Sequence, residues 1–233
     1  MAVIGAMNWR DVEAFLKADD RAVLPIGSTE QHAQLSLEVD RILAEKIAQD
    51  AAKPLGVPVF PAMPYGCAPY FAAYPGTVSL RVETLISVAR DVLDSLARVG
   101  FRRVVIISGH GGNAPVGAFA HEWMAANPCM QVRFHEWWKA PRTMAQVLAT
   151  DGLFGHASWM ENFPWTRLAH APAPEGSKPP VDMARLRSQG PDAVRKSLGD
   201  GNYAGRYQRS DNEMLAIWDI AVGETREVIN DGW

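Results

Sequence analysis

Glu30 and His32, with Asp40 eight residues further on, are the residues of this 233-residue chain whose types and spacing most suggest chemistry. They follow an apolar run, Ala22 to Ile26, that reads as a buried strand ended by Gly27. Ionisable groups beside a core are costly unless paired or bound to a metal. A carboxylate, an imidazole and a second carboxylate form a ligand set for hard-to-borderline divalent ions. Glu30 and His32 are two apart, so an extended segment points both side chains the same way, which suits ligands of neighbouring metals. Asp40 has two oxygens and can bridge two ions. His110 stands in Gly109-His110-Gly111-Gly112-Asn113, where glycines let backbone and substrate approach closely. Asn113 is placed to cap the next helix, whose N-terminus would favour an anion. His156 and Glu161 lie five apart on an expected helix from Gly155 to Leu168, one to ligate and the other to handle protons. Each motif alone reads more readily as a turn or a chance pair. Their conjunction at strand and helix ends points to a metal site.

The elements that must position these groups are legible in hydrophobic periodicity. Asn8 caps an expected helix from Trp9 to Ala18, and Arg21 to Gly27 is the first strand. Leu37 to Ala52 has helical spacing, which puts Asp40 near a helix start. Val57 to Met63 reads as a second strand. Pro64 to Thr77 is a Gly/Pro/aromatic loop longer than most connections, which favours a lid role. Arg81 to Val99 is an amphipathic helix closed by Gly100. The unbroken run Arg103 to Ser108 reads as a central parallel strand covered on both faces. A helix from Pro115 to Ala126, a strand from Gln131 to Trp137, a proline-rich excursion from Ala171 to Pro180 and a helix from Asp211 to Ile229 follow. Alternating strands and helices argue for an α/β layered sheet. Ligands then bind beyond the carboxyl ends of the strands, where Glu30, His32 and His110 converge.

The chain is 48% hydrophobic and 21% charged, which is ordinary for one globular domain spanning residues 1–233. A net charge of −3 without a Lys/Arg run gives no pointer to nucleic acid or a membrane surface as partner. No apolar stretch approaches ~20 residues, and no leader pattern precedes Trp9. Cys67 and Cys129 make no disulfide framework, so a cytoplasmic setting is expected. His121, His135 and His170 are read as structural, and Cys67 as an inert small side chain.

Four motifs in order resemble the creatininase (creatinine amidohydrolase) family: Ile26-Gly27-Ser28-Thr29-Glu30-Gln31-His32, Tyr74-Pro75-Gly76-Thr77, Ser108-Gly109-His110-Gly111-Gly112-Asn113, and His156-Ala157 with Glu161. The resemblance implies a three-layer α-β-α sandwich with a mostly parallel central sheet, a dinuclear metal centre, hydrolysis of a small molecule, and a homohexamer. Glu30, His32, Asp40 and His110 match ligand positions, with Asp40 as the bridge. Creatininase itself has a further ligand, a glutamate two places after the histidine; here that place is Gly112, and Glu161 is the expected substitute. The run between His32 and Asp40 is one residue shorter than usual and lacks a second histidine. In the lid loop a usual Ser…Glu-His portion becomes Ala68-Pro69-Tyr70-Phe71, so creatinine itself is not the expected substrate.

The expected reaction is hydrolysis of an amide-like C–N bond in a small, cyclic substrate by two divalent ions (Zn, Mn or Fe) sharing Asp40 and a hydroxide. His156 donates a proton to the leaving nitrogen or orients the substrate, and Glu161 is the fifth ligand or a base. Tyr70, Phe71, Tyr74 and Trp159, with Trp165, are the candidate aromatic enclosure. Two alternatives stand beside this. One keeps the metals and changes the bond, as in the family's inosose-type ketone hydrolases and deformylases; a substrate phosphate would draw on the basic tract from Arg185 to Arg209. The other is a metal-stabilised binding protein without turnover.

Overall fold

In the computed structural model, which describes residues 3–233, the two strongest apolar runs become β1 (Arg21–Ile26) and β2 (Arg103–Ser108). Met1 and Ala2 of the expected domain lie outside the described residues. With β3 (Gln131–Glu136) these runs form a parallel sheet of order β1-β2-β3. Ile26, Ser108 and Glu136 share one register level, so all three strands end together. Everything that leaves them emerges along one edge.

β1 and β2 are buried on both faces because they are apolar at both parities, while β3 is the more polar, partly exposed strand. Val23, Val105 and Ile107 enter one core with α2 (Val39–Ala52), α5 (Pro141–Thr150) and α8 (Asp211–Asn230). Ala22, Leu24, Ile26, Val104 and Ile106 enter the other with α3 (Val82–Val99) and α4 (Ala114–Ala126), onto which α1 (Trp9–Leu16) packs. This is the α-β-α sandwich. No helix among the described residues is long and apolar enough to cross a membrane.

Two expectations need correction. Val57 to Met63 is not a strand: it touches β1 only at the isolated bridges Val23–Val59 and Ile26–Met63. Pro58, Pro61 and Pro64 withhold the N–H groups that a continuous ladder requires. Gly155 to Leu168 is not a helix either; it is a series of turns with one 3₁₀ turn at Trp159–Glu161. Ala157 has φ +59° and Pro164 cannot donate, so a helical run is interrupted at both ends. The hairpin-like pair α6 (Met183–Arg187) and α7 (Pro191–Leu198) was read only as a basic tract. Leu186, Val194 and Leu198 form a third small core with Phe71 and Tyr74 of the long loop. A short antiparallel pair, β4 (Ser177–Lys178) and β5 (Gly205–Arg206), lies beside it.

The first turn of α2 rests directly on the strand ends. A Cβ on Gly109 would overlap the carbonyl oxygen of Asp40, and one on Gly27 would overlap the backbone of Arg41. Glycine at both places lets Asp40 reach the edge where Glu30 and His110 emerge.

Candidate metal centre

Six ionisable side chains meet at that edge. Asp40, in the first turn of α2, faces two histidines with its two oxygens: Oδ1 is 3.1 Å from His32 Nε2, and Oδ2 is 3.1 Å from His110 Nδ1. Glu30 Oε1 lies 3.3 Å from His110 Nδ1, and Glu161 Oε2 lies 3.6 Å from His32 Nε2. Two candidate ligand groups result, Glu30/Asp40/His110 and His32/Asp40/Glu161, with Asp40 common to both. A third group, Glu30/His32/His156, is completed by His156 Nδ1 at 3.7 Å from Glu30 Oε1. The structure thus brings together Glu30, His32, Asp40, His110, His156 and Glu161.

The donor atoms fit divalent ions. Glu30 Oε1, His32 Nε2 and Asp40 Oδ2 are buried and make no aligned hydrogen bond, although each has a polar neighbour within 3.3 Å. Within each group the ligand atoms lie within 4.8 Å of one another. The outward atoms are occupied, as in ordinary metal sites. His32 Nδ1 donates to the Glu30 carbonyl at 3.1 Å, and His110 Nε2 donates to the Cys67 carbonyl at 3.0 Å. The Ser28 hydroxyl donates to Glu30 Oε2 at 3.2 Å. The only two non-glycine residues with positive φ among the described residues are Ala33 and Ala157, each directly after a histidine of this site. That strain of roughly 1–3 kcal/mol per residue is carried where the ligands are aimed.

Without ions the charges balance among themselves. Burial opposes a proton on His32, but the carboxylates of Asp40, Glu161 and Glu30 outweigh it and raise its pKa to about 10. His110 follows the same pattern: burial is overcome by Glu30 and Asp40, and the ring is held well above its ordinary value. Burial alone would raise Asp40, yet the two imidazolium rings pull it below the carboxylate range. Glu30 stays raised because burial dominates. Burial also lifts Glu161 to about 7, with His32 opposing. His156 is lowered by burial and by the charge on His32, so its ring is neutral. Both the Gln31 carbonyl and the Gln31 amide nitrogen lie 2.9 Å from His156 Nε2, leaving Nδ1 to face the carboxylates.

The site opens into a cleft of about 270 Å³. Tyr70 and Phe71 line it as expected from the loop, and Phe71 stacks on the His156 ring at 4.6 Å between centroids. Tyr74 and Trp159 do not line it, which corrects two of the pocket expectations. The Tyr74 ring packs in the third core and its hydroxyl donates to the Gly199 carbonyl; Trp159 is fully buried with its indole N–H on the Leu153 carbonyl. Their places are taken by Trp137, Trp138, Lys139, Phe154 and Tyr203. Trp137 to Lys139 was readable in principle, since it directly follows a strand that ends level with the other two. Asn113 does not cap α4: its amide donates to the Gly27 carbonyl at 3.0 Å and its oxygen accepts from Cys67 N at 3.4 Å. It joins the loop after β1 to the long loop. Gly112 has an equally definite reason, because a Cβ there would overlap the Cys67 carbonyl and His110 Nε2. No glutamate can stand at that place while Cys67 holds His110.

The family model described as creatinine amidohydrolase matches residues 5–227. The creatinine amidohydrolase of Pseudomonas putida is 33% identical over 118 residues, 48% of this chain and 45% of that protein. The 3-dehydro-scyllo-inosose hydrolase of Thermotoga maritima is 29% identical over 119 residues, 50% and 38% of the two chains. The matched stretch therefore spans less than half the length of these relatives. A crystal structure of creatininase superposes with a TM-score of 0.83 at 23% identity, covering 98% of this chain and 96% of that one. A Zn-Zn type creatininase mutant gives 0.79 at 23% identity over 97% and 96%, and a manganese creatininase 0.77 at 23% over 98% and 97%. At that identity the structural likeness speaks for the fold.

Proposed function

This chain belongs to the creatininase family, and from that premise we propose that it is a hydrolase with two divalent metal positions that cleaves an amide-like C–N bond of a small, flat, neutral molecule. The observation that carries the reading is Asp40: one carboxylate offers one oxygen to His32 and the other to His110, at 3.1 Å each. Glu30, Asp40 and His110 would hold one ion, and His32, Asp40 and Glu161 the other. Bound divalent ions would supply Lewis acidity to the scissile carbonyl and lower the pKa of the attacking water.

The remaining groups suit hydrolysis. Glu161 is partly exposed to the cleft, and in the ion-free site burial raises its carboxyl to about 7, so a Glu161 that does not ligate is placed to exchange protons at neutral pH. His156 is neutral, and its Nδ1 faces the cleft side of the site. It takes a proton there before it can return one to a leaving nitrogen. Phe71 on one face of His156 and Tyr203 at 5.1 Å keep the ring in place and exclude water. Lys139 is the only lysine or arginine on the cleft wall among the described residues, and Glu136 holds it through both carboxylate oxygens at 2.8 Å. None of the arginines between Arg185 and Arg209 lines the cleft, and Arg195 and Arg209 are engaged with the Ala73 carbonyl and Asp151. A phosphorylated substrate finds no free cation there, which favours a neutral one. Assembly as a homohexamer is part of the proposal and is read by sedimentation.

A cyclic polyol ketone is the second reading, motivated by the inosose hydrolase relative. Zinc- or manganese-loaded protein is to be screened against lactams, cyclic ureas, formamides and inosose-type ketones. Turnover of an amide or urea that disappears in Asp40→Asn is the expected result. Turnover confined to the ketones, or turnover that survives Asp40→Asn, overturns the proposal.

A further inference from the structure

The cleft wall carries two phenol hydroxyls that hydrolysis as described leaves unused, those of Tyr70 and Tyr203. Of the five tyrosines in the chain, Tyr65 is exposed. Tyr74 and Tyr207 give their hydroxyls to the Gly199 carbonyl at 3.2 Å and to Asp200 Oδ2 at 2.6 Å. The hydroxyls of Tyr70 and Tyr203 have no such partner among the described residues, yet both oxygens remain open to solvent. Both rings are firmly held. Tyr203 N donates to the His156 carbonyl at 2.9 Å, and Gly155 leaves room for the side chain, since a Cβ there would crowd Tyr203 Cβ. Tyr70 lies in the 3₁₀ turn Pro69–Phe71, edge-on to Phe71 at 4.6 Å between centroids. That turn follows Ala68, whose N–H donates to the Ser79 hydroxyl at 2.9 Å. Burial, then Glu30, Tyr203 and Asp40, raise the Tyr70 phenol; burial, then Glu30 and Glu161, raise that of Tyr203. Both hydroxyls therefore stand near the carboxylates of the centre and stay protonated donors at neutral pH.

We propose that Tyr70 and Tyr203 select the substrate, donating hydrogen bonds from their hydroxyls to acceptor atoms other than the scissile carbonyl. The inference rests on the hydrolase reading for one point, that the scissile carbonyl is the group taken to the ions. The carboxylates and imidazoles are then engaged, and the phenols remain free to meet the rest of the molecule. A substrate that enters the cleft displaces water from both hydroxyls. An edge bearing a carbonyl or hydroxyl oxygen replaces those hydrogen bonds. A hydrocarbon edge leaves buried donors unpaired, which is the loss on which polar sites discriminate most strongly. The substrate class is therefore a small neutral ring with at least one oxygen acceptor besides the carbonyl that is attacked. Phenylalanine at either place keeps the ring packing around Phe71 and His156 and removes only the donor.

The test compares two neutral cyclic ureas, 3-methylhydantoin and 1-methyl-2-imidazolidinone, which differ only in a second ring carbonyl in place of a methylene. Their dissociation constants are measured by saturation-transfer NMR titration on the zinc-loaded full chain, in wild type, Tyr70→Phe, Tyr203→Phe and the double variant. Wild type binds 3-methylhydantoin about threefold to tenfold more tightly, as expected for hydrogen bonding to one added acceptor. Each single substitution lowers that ratio by about twofold or more, and the double variant brings it close to one. A wild-type ratio near one overturns the proposal, as does a ratio that the double variant retains or a wild type that binds neither probe. A single substitution that leaves the ratio unchanged overturns the assignment of that tyrosine. The ratio is taken within one protein, so a change in folded fraction or metal content cancels. Binding is read without turnover. Hydrolysis with an unmoved ratio sinks this assignment alone, and a tyrosine-dependent ratio in a protein that hydrolyses nothing sinks only the hydrolase reading.

Discussion

Loading the metal-free protein must displace protons, and their number follows from the charges of the centre. His32 carries a proton up to about pH 10, and His110 is likewise held well above its ordinary value. Each has to surrender that proton before its nitrogen lone pair can reach an ion. Glu161, with a pKa of about 7, contributes roughly half a proton at neutral pH and almost none above pH 8.5. Filling both positions therefore releases at least the proton of His32, with His110 and Glu161 adding to it, and more at pH 7 than at pH 8.5. The overall loading constant correspondingly rises at least about tenfold per pH unit between 7 and 9, equivalent to about 1.4 kcal/mol. Titration calorimetry with zinc in buffers of different ionisation enthalpy reads the proton count as a slope, and competition with a chelator of known affinity reads the pH dependence of loading. A proton count near zero, or a loading constant flat from pH 7 to 9, would refute the reasoning. It would mean that the histidines are neutral in the metal-free state and that Asp40 does not hold them as ion pairs.

Asp40→Asn removes the only side chain shared by both main ligand groups and should leave folded protein with neither ion by elemental analysis; full retention would end its bridging role. Glu161→Gln should cost about one metal equivalent while the Glu30/His110 position stays filled, whereas two retained ions with slow turnover would assign Glu161 to proton transfer. Gly109→Ala forces a methyl group into the Asp40 carbonyl and should lower stability by about 1–3 kcal/mol or more, seen as a reduced denaturant midpoint together with weaker metal loading. His135, hydrogen-bonded to Thr225 at 3.1 Å, is depressed by burial to about 4 from an ordinary 6.5. Between those values the unfolded chain binds more protons, so stability rises with pH across that window by up to about 3 kcal/mol and is flat above it. Denaturant melts at pH 4.5 and 7.5 should show this difference shrinking in His135→Gln.

What could be read from the sequence is what local chemistry controls. β1, β2 and β3 are signalled by their own apolar runs, and the Asn8 capping box starts α1 where its residues say it should. Glu30, His32, Asp40 and His110 stood out because ligand types sat directly after strands or at a helix start. Two helices went unread because their support comes from elsewhere in the chain. No residue of its own segment caps α5; Glu224 of α8 does so, accepting from Arg142 N at 2.8 Å and Thr143 N at 2.6 Å. α7 shows only Val194 and Leu198 among charges, and its core partners are Phe71 and Tyr74, more than a hundred residues away. Trp159, expected as a wall aromatic, is instead fully buried with its indole N–H on the Leu153 carbonyl. Glu161 nevertheless arrives at the centre, its Oε2 accepting from Ala157 N at 2.6 Å. Its position is set by a tight turn and not by helical periodicity.

The hydrogen bond from His110 to the Cys67 carbonyl, for which Gly112 makes room, has a kinetic consequence. The loop that carries Cys67 cannot lift without releasing the outer nitrogen of a proposed ligand, so loop opening and metal escape become one event. The rate at which a chelator strips the protein is then capped by how often that loop opens. Stiffening the loop from outside, through the α6–α7 pair packed against Phe71 and Tyr74, would slow metal loss without touching any residue of the centre.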